Sequence, residues 1–286
     1  KMRPVVIHQD PLDNIPHQIR AGAKETLSSA INVTNRKNKA WKFASENSED
    51  AITWTLFAYL QQAGGLKDVL SHAEVEIASQ SSTSPSLLLW GVPVPQNDKA
   101  AQELSGNLSQ LLDHIGGLRR SYSEPDVIMD FGPAGVVIIE VKHGSPNDKK
   151  SPDYKNWGRY LNGSKAFANP RQVRQSGAYE LSRNWRIAWD LAGSRPMALI
   201  NLGPECLFKR REGAPLDLFA SALQQSAKRK FITMPWSQLL NHIQTCPTWL
   251  VEYLSAREIK VLSPPVLHLN PQFPVTGKKR APLSQA

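Results

Sequence analysis

Two carboxylates and a lysine are spaced so that a hairpin would bring them together. Asp126 precedes one apolar, β-branched run, and Glu140 and Lys142 end a second one, with a Gly/Pro-rich turn between the runs. With the turn centred on Pro133, Asp126 falls directly opposite Glu140, and directly opposed Cβ atoms lie about 5 Å apart. Because side chains alternate along a strand, Glu140 and Lys142 point to the same face. We expect the three side chains to converge.

This convergence predicts a particular chemistry. Two carboxylates so close repel each other and raise one pKa unless a cation lies between them. A hard divalent ion such as Mg²⁺ takes oxygen ligands and keeps several waters. The lysine beside it can orient or help to deprotonate one of those waters, or neutralise charge on a phosphate. The three residues therefore indicate an apparatus for hydrolysing a phosphodiester.

A helix is expected before the hairpin. Ser48 is a good N-cap, and Glu49 and Asp50 suit the positive first turn of a helix that the Gly64-Gly65 pair would end. Apolar residues recur between these limits at helical spacing.

After the hairpin, the pattern predicts a long polar loop over 144–169, one helix over 170–192 and a short buried strand over 196–202. The order helix, hairpin, helix, strand predicts an α/β core, in which helices flank a mixed β-sheet. We expect this core over 46–245, an N-terminal appendage over 1–45, and a C-terminal helix with a Pro-rich basic tail over 246–286.

The composition favours a polyanionic partner. The chain has 286 residues, with 34 Lys and Arg against 25 Asp and Glu, and a formal net charge of +9. Nucleic acid is the first expectation for such a balance and an anionic membrane the second, although solubility alone also explains it.

The cysteines and the apolar runs indicate the cellular environment that we expect for the protein. Cys206 and Cys246 lack paired Cys or His at zinc-finger spacing, so no structural zinc site is expected, and a reducing, cytoplasmic setting is the default. No apolar run approaches the roughly 20 residues that span a bilayer, so no membrane partner is expected. A protein partner or a second copy of the chain is expected to bind through the terminal appendages.

Pro125-Asp126 and Glu140-Val141-Lys142 resemble the signature of the PD-(D/E)XK nuclease superfamily, and the resemblance covers residues 48–202. It implies a restriction-endonuclease-like fold and a nuclease that depends on Mg²⁺ or Mn²⁺ and most often cleaves DNA. By this resemblance Asp126, Glu140 and the Val141 carbonyl are metal ligands, and Lys142 positions the attacking water. The alternative for the motif is a solvated salt bridge on an exposed edge.

The resemblance extends to the flanking helices. Glu49 matches the acidic residue that the family usually carries before the hairpin, where it binds metal directly or through water; otherwise it complements the helix dipole. Asp50 is the alternative acid. Gln175 and Tyr179 resemble the Gln-x-x-x-Tyr motif of an exonuclease branch, in which the pair touches the site and the nucleic acid; otherwise Tyr179 packs in the core. That branch has a metal-binding His on its early helix, and this chain has none there.

Basic residues after the hairpin suggest a substrate groove. The nucleic-acid-binding candidates are Lys149, Lys150, Lys155, Arg171, Arg174 and Tyr179, because phosphate contacts supply affinity that does not depend on sequence. Trp157 and Tyr160 are candidates for stacking on unpaired bases.

Two functions of different classes follow. The first is a metal-dependent nuclease, with Asp126, Glu140, Lys142, Glu49 and Gln175 as its catalytic residues. The second is a catalytically inactive nuclease-fold module that binds DNA or a partner protein.

Overall fold

The computed structural model describes residues 5–34, 39–116, 124–147, 149–243 and 246–260. The strands are β1 (Ser86–Leu89), β2 (Val92–Pro93), β3 (Val127–Asp130), β4 (Val136–Val141), β5 (Met197–Gly203) and β6 (Arg229–Pro235). The helices are α1 (Ala23–Thr34), α2 (Lys39–Phe43), α3 (Glu49–Gln62), α4 (Leu66–His72), α5 (Glu76–Gln80), α6 (Lys99–Gly116), α7 (Trp157–Leu161), α8 (Pro170–Ser176), α9 (Tyr179–Ala192), α10 (Arg210–Ser221), α11 (Trp236–Leu240) and α12 (Thr248–Ser255). Short 3-10 helices span Pro11–Asn14, His17–Ile19, Gly132–Ala134 and Glu205–Phe208.

The described strands form one mixed sheet in the order β2-β1-β3-β4-β5-β6. Its first half, up to β4, is antiparallel, whereas β4, β5 and β6 run parallel. Helices cover both faces of this sheet. The protein is therefore an α/β protein with a mixed six-stranded sheet flanked by helices, as the order of elements predicts.

The hairpin of β3 and β4 has the predicted register. Val127 pairs with Ile139 and Asp130 with Val136, so Asp126 precedes β3 at the position opposite Glu140. The turn contains a 3-10 helix followed by Gly135, whose φ of +134° disfavours any other residue. A Cβ on Gly135 would also lie 2.3 Å from the Pro196 carbonyl oxygen.

Alternating strand residues separate two hydrophobic cores. On the face that we call the α3 face, strand residues such as Met129 and Ile139 pack with helices α1 to α5, α11 and α12. On the α9 face, residues such as Ile128 and Ile138 pack with helices α6 to α10. Glu140 lies two residues after Ile138 and therefore belongs to the α9 face.

Helix α3 begins as the sequence predicts. The Ser48 side chain accepts a hydrogen bond from the Ala51 amide at 3.1 Å, and the helix ends before the Gly64-Gly65 pair. Its N-terminus therefore has a fixed position next to the segment that follows β4, which Glu49 contacts.

The single helix predicted over 170–192 is wrong. Helix α8 starts at an Asn169 cap and ends at Gly177, which adopts the left-handed conformation with a φ of +71°. Helix α9 then starts at Tyr179. The Lys150 amide donates to the Gly177 carbonyl at 2.9 Å, so the incoming loop pairs with the break and stabilises it.

The described terminal regions contribute to the core of the α3 face. Ile15, Ile19 and Phe43 are buried there, as are Leu250 and Leu254 of α12. Across the described residues, every helix is too short or too polar to cross a bilayer.

Candidate active site

Glu140 and Lys142 form a buried ion pair at the carboxyl end of β4. The Lys142 ammonium lies 2.7 Å from Glu140 Oε1 and 2.8 Å from Glu180 Oε2, and Glu180 is on the first turn of α9. Both strand side chains are almost fully buried, at 3% and 5% exposure. The predicted convergence of the two side chains is confirmed, and the lysine has a second carboxylate partner that the sequence reasoning missed.

Helix α9 also supplies partners for the other oxygen of Glu140. The Asn184 amide donates to Oε2 at 2.6 Å, and the Arg183 guanidinium lies 3.8 Å from the same atom. Arg183 also donates to the Asn184 side chain at 2.9 Å, which fixes both groups. Glu180, Arg183 and Asn184 are spaced i, i+3 and i+4, so they share a helix face. That spacing was the available signal for them.

Asp126 completes the cluster from the start of β3. It is half-buried, and its Oδ2 accepts a hydrogen bond from the Val141 amide at 2.9 Å. Burial and the neighbouring Glu140 carboxylate raise the pKa of Asp126 well above its ordinary value, although Lys142 and the Val141 amide oppose this shift. The predicted role of the Val141 carbonyl as a metal ligand stays a prediction.

The buried acids and the lysine of the cluster shift one another's pKa values. Burial also raises the pKa of Glu140, although Lys142 and Arg183 oppose it. Burial disfavours the charged form of Lys142, but the carboxylates of Glu140 and Glu180 outweigh it and raise the pKa of the ammonium above its ordinary range.

The backbone of Lys142 is held from two sides. Its amide donates to the Leu202 carbonyl at 2.8 Å, and its carbonyl accepts from the Trp236 indole at 3.0 Å. The lysine therefore leaves the sheet in a fixed direction.

No known protein family, curated protein or solved structure matches this chain. The assignment of chemistry therefore depends on the residues of the cluster.

The donors suit Mg²⁺ or Mn²⁺ as far as the described residues show. These residues contain no group of three or more His, Cys, Asp or Glu side chains placed to hold a metal together. Two carboxylates, Asp126 and Glu140, are nevertheless enough for Mg²⁺, which keeps several of its waters. A divalent cation beside Asp126 would lower the raised pKa of that carboxyl.

The structure places Glu49 beside the cluster. Its Oε1 accepts from the amides of His143 and Ser145, at 2.8 and 3.2 Å, and from the Ser145 hydroxyl at 2.8 Å. Glu49 thus fixes the segment that directly follows Lys142. Asp50, the alternative acid, is the α3 residue whose charge contributes to the raised pKa of Asp126.

Gln175 and Tyr179 lie on different helices, so the predicted shared helix face is wrong. Gln175 is exposed on α8, one residue before the buried end of that helix. Tyr179 starts α9 with its ring against Tyr154, Trp157 and Tyr160, at centroid distances of 5.2, 5.2 and 5.6 Å.

The stacking role predicted for Trp157 and Tyr160 is also contradicted. Both side chains are buried, at 1% and 3% exposure, because they pack beneath Tyr179. Neither ring presents a face on which a base could stack.

The basic candidates surround the α8–α9 junction. Lys149 pairs in an isolated β-bridge with Ala178, and Ala178 precedes Glu180 by two residues. The Lys150 ammonium lies 5.4 Å from the centroid of the Tyr154 ring. Lys149, Lys155 and Arg171 are exposed, and Lys150 and Arg174 are half-buried.

Proposed function

We propose that this protein is a metal-dependent nuclease that hydrolyses phosphodiester bonds, with DNA as the favoured substrate. The observation that carries the proposal is the meeting of Asp126, Glu140 and Lys142 at the carboxyl end of β4. The Asp-to-Glu register and the Glu-x-Lys spacing are those of the PD-(D/E)XK signature, and a restriction-endonuclease-like core is part of the proposal.

The position of the cluster in the sheet supports this function. In open α/β sheets, ligands bind outside the carboxyl ends of the parallel strands. Glu140 and Lys142 lie at that end of β4, next to β5. Lys149 pairs with Ala178, two residues before Glu180, and this proximity supports a phosphate-binding role for Lys149 and Lys150.

Each residue of the cluster has a separate role in the proposed reaction. Asp126 and Glu140 would hold Mg²⁺ or Mn²⁺, which supplies charge stabilisation at the phosphate and lowers the pKa of a bound water. Lys142 acts as a cation, since its raised pKa keeps it protonated. As an ammonium it would donate a hydrogen bond to the attacking water or to a phosphate oxygen. Glu180 orients the lysine, and Asn184 orients Glu140.

Incubation with linear duplex, circular duplex and single-stranded DNA, and with RNA, tests the proposal. Mg²⁺ or Mn²⁺ should support cleavage, EDTA should abolish it, and Ca²⁺ should bind without turnover. Glu140→Gln should remove cleavage under every condition. Full activity in EDTA, or in the Glu140→Gln variant, would rule out the proposed chemistry.

One observation favours a second candidate, a catalytically inactive module that binds DNA or a partner protein. Both oxygens of Glu140 are already engaged, by Lys142 and by Asn184, so the cluster is also a self-consistent buried network. DNA binding that persists without cleavage in Mg²⁺ or Mn²⁺, together with no metal-induced rise in melting temperature, would favour this candidate.

A further inference from the structure

Asn201 lies beside the candidate active site on the neighbouring strand. It is the register partner of Glu140 across the parallel pair β4 and β5. Met197 and Leu199, which precede it by four and two residues, pack in the core of the α9 face, so Asn201 points to that face as Glu140 does. Asp126, Glu140 and Asn201 therefore form one polar row across three adjacent strands.

The amide of Asn201 is fully buried, and neither of its polar atoms has a hydrogen-bond partner among the described residues. Buried polar groups nearly always have a partner, and an unpaired one is costly. An apolar side chain of similar size would avoid that cost, so packing gives no reason for an asparagine here. A group bound by the amide would account for the asparagine.

The surroundings of Asn201 favour water as that group. A buried water needs two to four polar partners. Asn201 offers a donor and an acceptor, and the Glu140 carboxylate is on the adjacent strand, about 4.8 Å away at the backbone. Asn184 and Arg183 already contact that carboxylate from α9. A nucleic-acid phosphate is a poorer candidate, because Asn201 is fully covered.

We propose that Asn201 is a positioning residue that binds a buried water next to Glu140 and thereby fixes the orientation of the Glu140 carboxylate for a divalent metal. This inference deepens the proposed function and rests on it. Residues that orient a ligand in this way typically change metal affinity or activity by about 10- to 100-fold when they are removed.

The test compares Asn201→Leu with the parent protein in three measurements: melting temperature, calorimetric binding of Mn²⁺ and Ca²⁺ without DNA, and kcat and KM for DNA cleavage. We expect a melting temperature close to that of the parent, because the leucine replaces the amide together with its water, and such a replacement by an apolar group of similar shape is nearly neutral. Metal affinity and kcat should fall about 10- to 100-fold. Retention of parental affinity and kcat would overturn the proposal.

A matched control removes another buried polar atom without a partner. Ser71 Oγ on α4 is such an atom, on the opposite side of the sheet from α9. Ser71→Ala should leave metal affinity and kcat unchanged. An equal loss in both variants would show that Asn201 acts only through general packing.

A second pair of variants covers a failure of Asn201→Leu to fold. Asn201→Ser and Asn201→Ala leave nearly the same space, but only serine can still bind a water. Serine should keep more metal affinity and kcat than alanine, and equal values would overturn the proposal. A parent that binds no metal and cleaves nothing would overturn the proposed function and this inference together, whereas a functional parent with a fully active Asn201→Leu variant would overturn this inference alone.

Discussion

Asp126 is the residue at which folding and the proposed chemistry oppose each other. Burial and Glu140 raise its pKa above the ordinary value of 3.8. A carboxyl whose pKa is higher in the folded state favours folding while it is protonated, and that contribution is lost as the pH rises through the folded pKa. At higher pH its ionised form is therefore a cost, unless a metal compensates it.

We therefore expect Asp126→Asn to raise the melting temperature of the metal-free protein at a pH above the folded-state pKa of Asp126. The side-chain carbonyl of the asparagine still accepts a hydrogen bond from the Val141 amide. The same change should abolish cleavage and the melting-temperature rise that Mn²⁺ causes in the parent. Melting curves against pH, with and without Mn²⁺, check both effects. Asp153→Asn, at an exposed loop position, should change neither. A lower melting temperature for Asp126→Asn would contradict the assigned electrostatics.

Lys142 affects stability in the opposite direction to the ionised Asp126 carboxylate, because it stabilises the metal-free protein. Lys142→Met would leave Glu140 and Glu180 without the cation that both contact. Breaking a buried ion pair typically costs about 3–5 kcal/mol. Cleavage should fall at least about 10²-fold, as for other positioned electrostatic groups.

Mg²⁺ should restore part of the lost stability of Lys142→Met, because it compensates the same carboxylates. Urea unfolding with and without Mg²⁺ measures this, and the exposed Lys99→Met on α6 is the control. Cleavage at the parental rate by Lys142→Met would favour the binding-module candidate.

The elements that position these residues differ in how far the sequence predicts them. The β3–β4 hairpin could be predicted with its register, because period-2 patterning and the Gly/Pro turn fix the pairing together. The sequence does not predict in the same way where helix α9 begins, and therefore which of its residues share a face. A single glycine inside a helical pattern is often tolerated, so the pattern does not show that Gly177 ends α8. Consequently Gln175 was paired with Tyr179, and Glu180, Arg183 and Asn184 were missed.

The acids at the start of α3 show the same limit. Glu49 and Asp50 are adjacent, and on a helix adjacent residues point about 100° apart. Only the packing of α3 against the sheet decides that Glu49 contacts His143 and Ser145, while Asp50 acts on Asp126. A sequence pattern contains no information on that rotation.

The break between α8 and α9 gives a prediction at this scale. Gly177→Ala should destabilise the protein by about 1–2 kcal/mol, because the left-handed conformation is less favourable by this free energy for a residue with a Cβ. A Cβ there would also lie 3.3 Å from the Lys150 carbonyl oxygen. Because Glu180 follows three residues later, cleavage should fall as well.

The matched control is Gly106→Ala on an exposed position inside α6, where a Cβ would meet no atom within 4 Å. This change should stabilise the protein by roughly 0.5–1 kcal/mol. Urea unfolding of both variants measures the contrast. A Gly177→Ala variant as stable and active as the parent would show that the break does not position α9.

At the scale of the whole molecule, the formal net charge of +9 can attract DNA in two ways. It can act through the total charge of the protein, or through particular lysines near the candidate site that contact phosphates. Lys149 and Lys150 contact the α8–α9 junction, and Lys155 follows Tyr154, whose ring packs against Tyr179. We expect all three to contact phosphates. Replacing all three by Gln should weaken binding to every DNA sequence alike. It should also reduce the slope of log K against log salt by about 0.9 for each lost phosphate contact.

A control with the same change in net charge separates the two explanations. Lys67 and Lys99 lie on α4 and α6. Lys228 lies just before β6, at the amino end of the parallel strands, whereas the candidate site is at the carboxyl end. Replacing these three by Gln also lowers the formal charge from +9 to +6. If the charge acts only through the net field, both triple variants should lose affinity and slope equally. If the junction binds the phosphate backbone, the slope should fall for the first triple variant and stay near the parental value for the second. Fluorescence anisotropy with labelled duplex DNA in Ca²⁺, over a series of salt concentrations, distinguishes these outcomes.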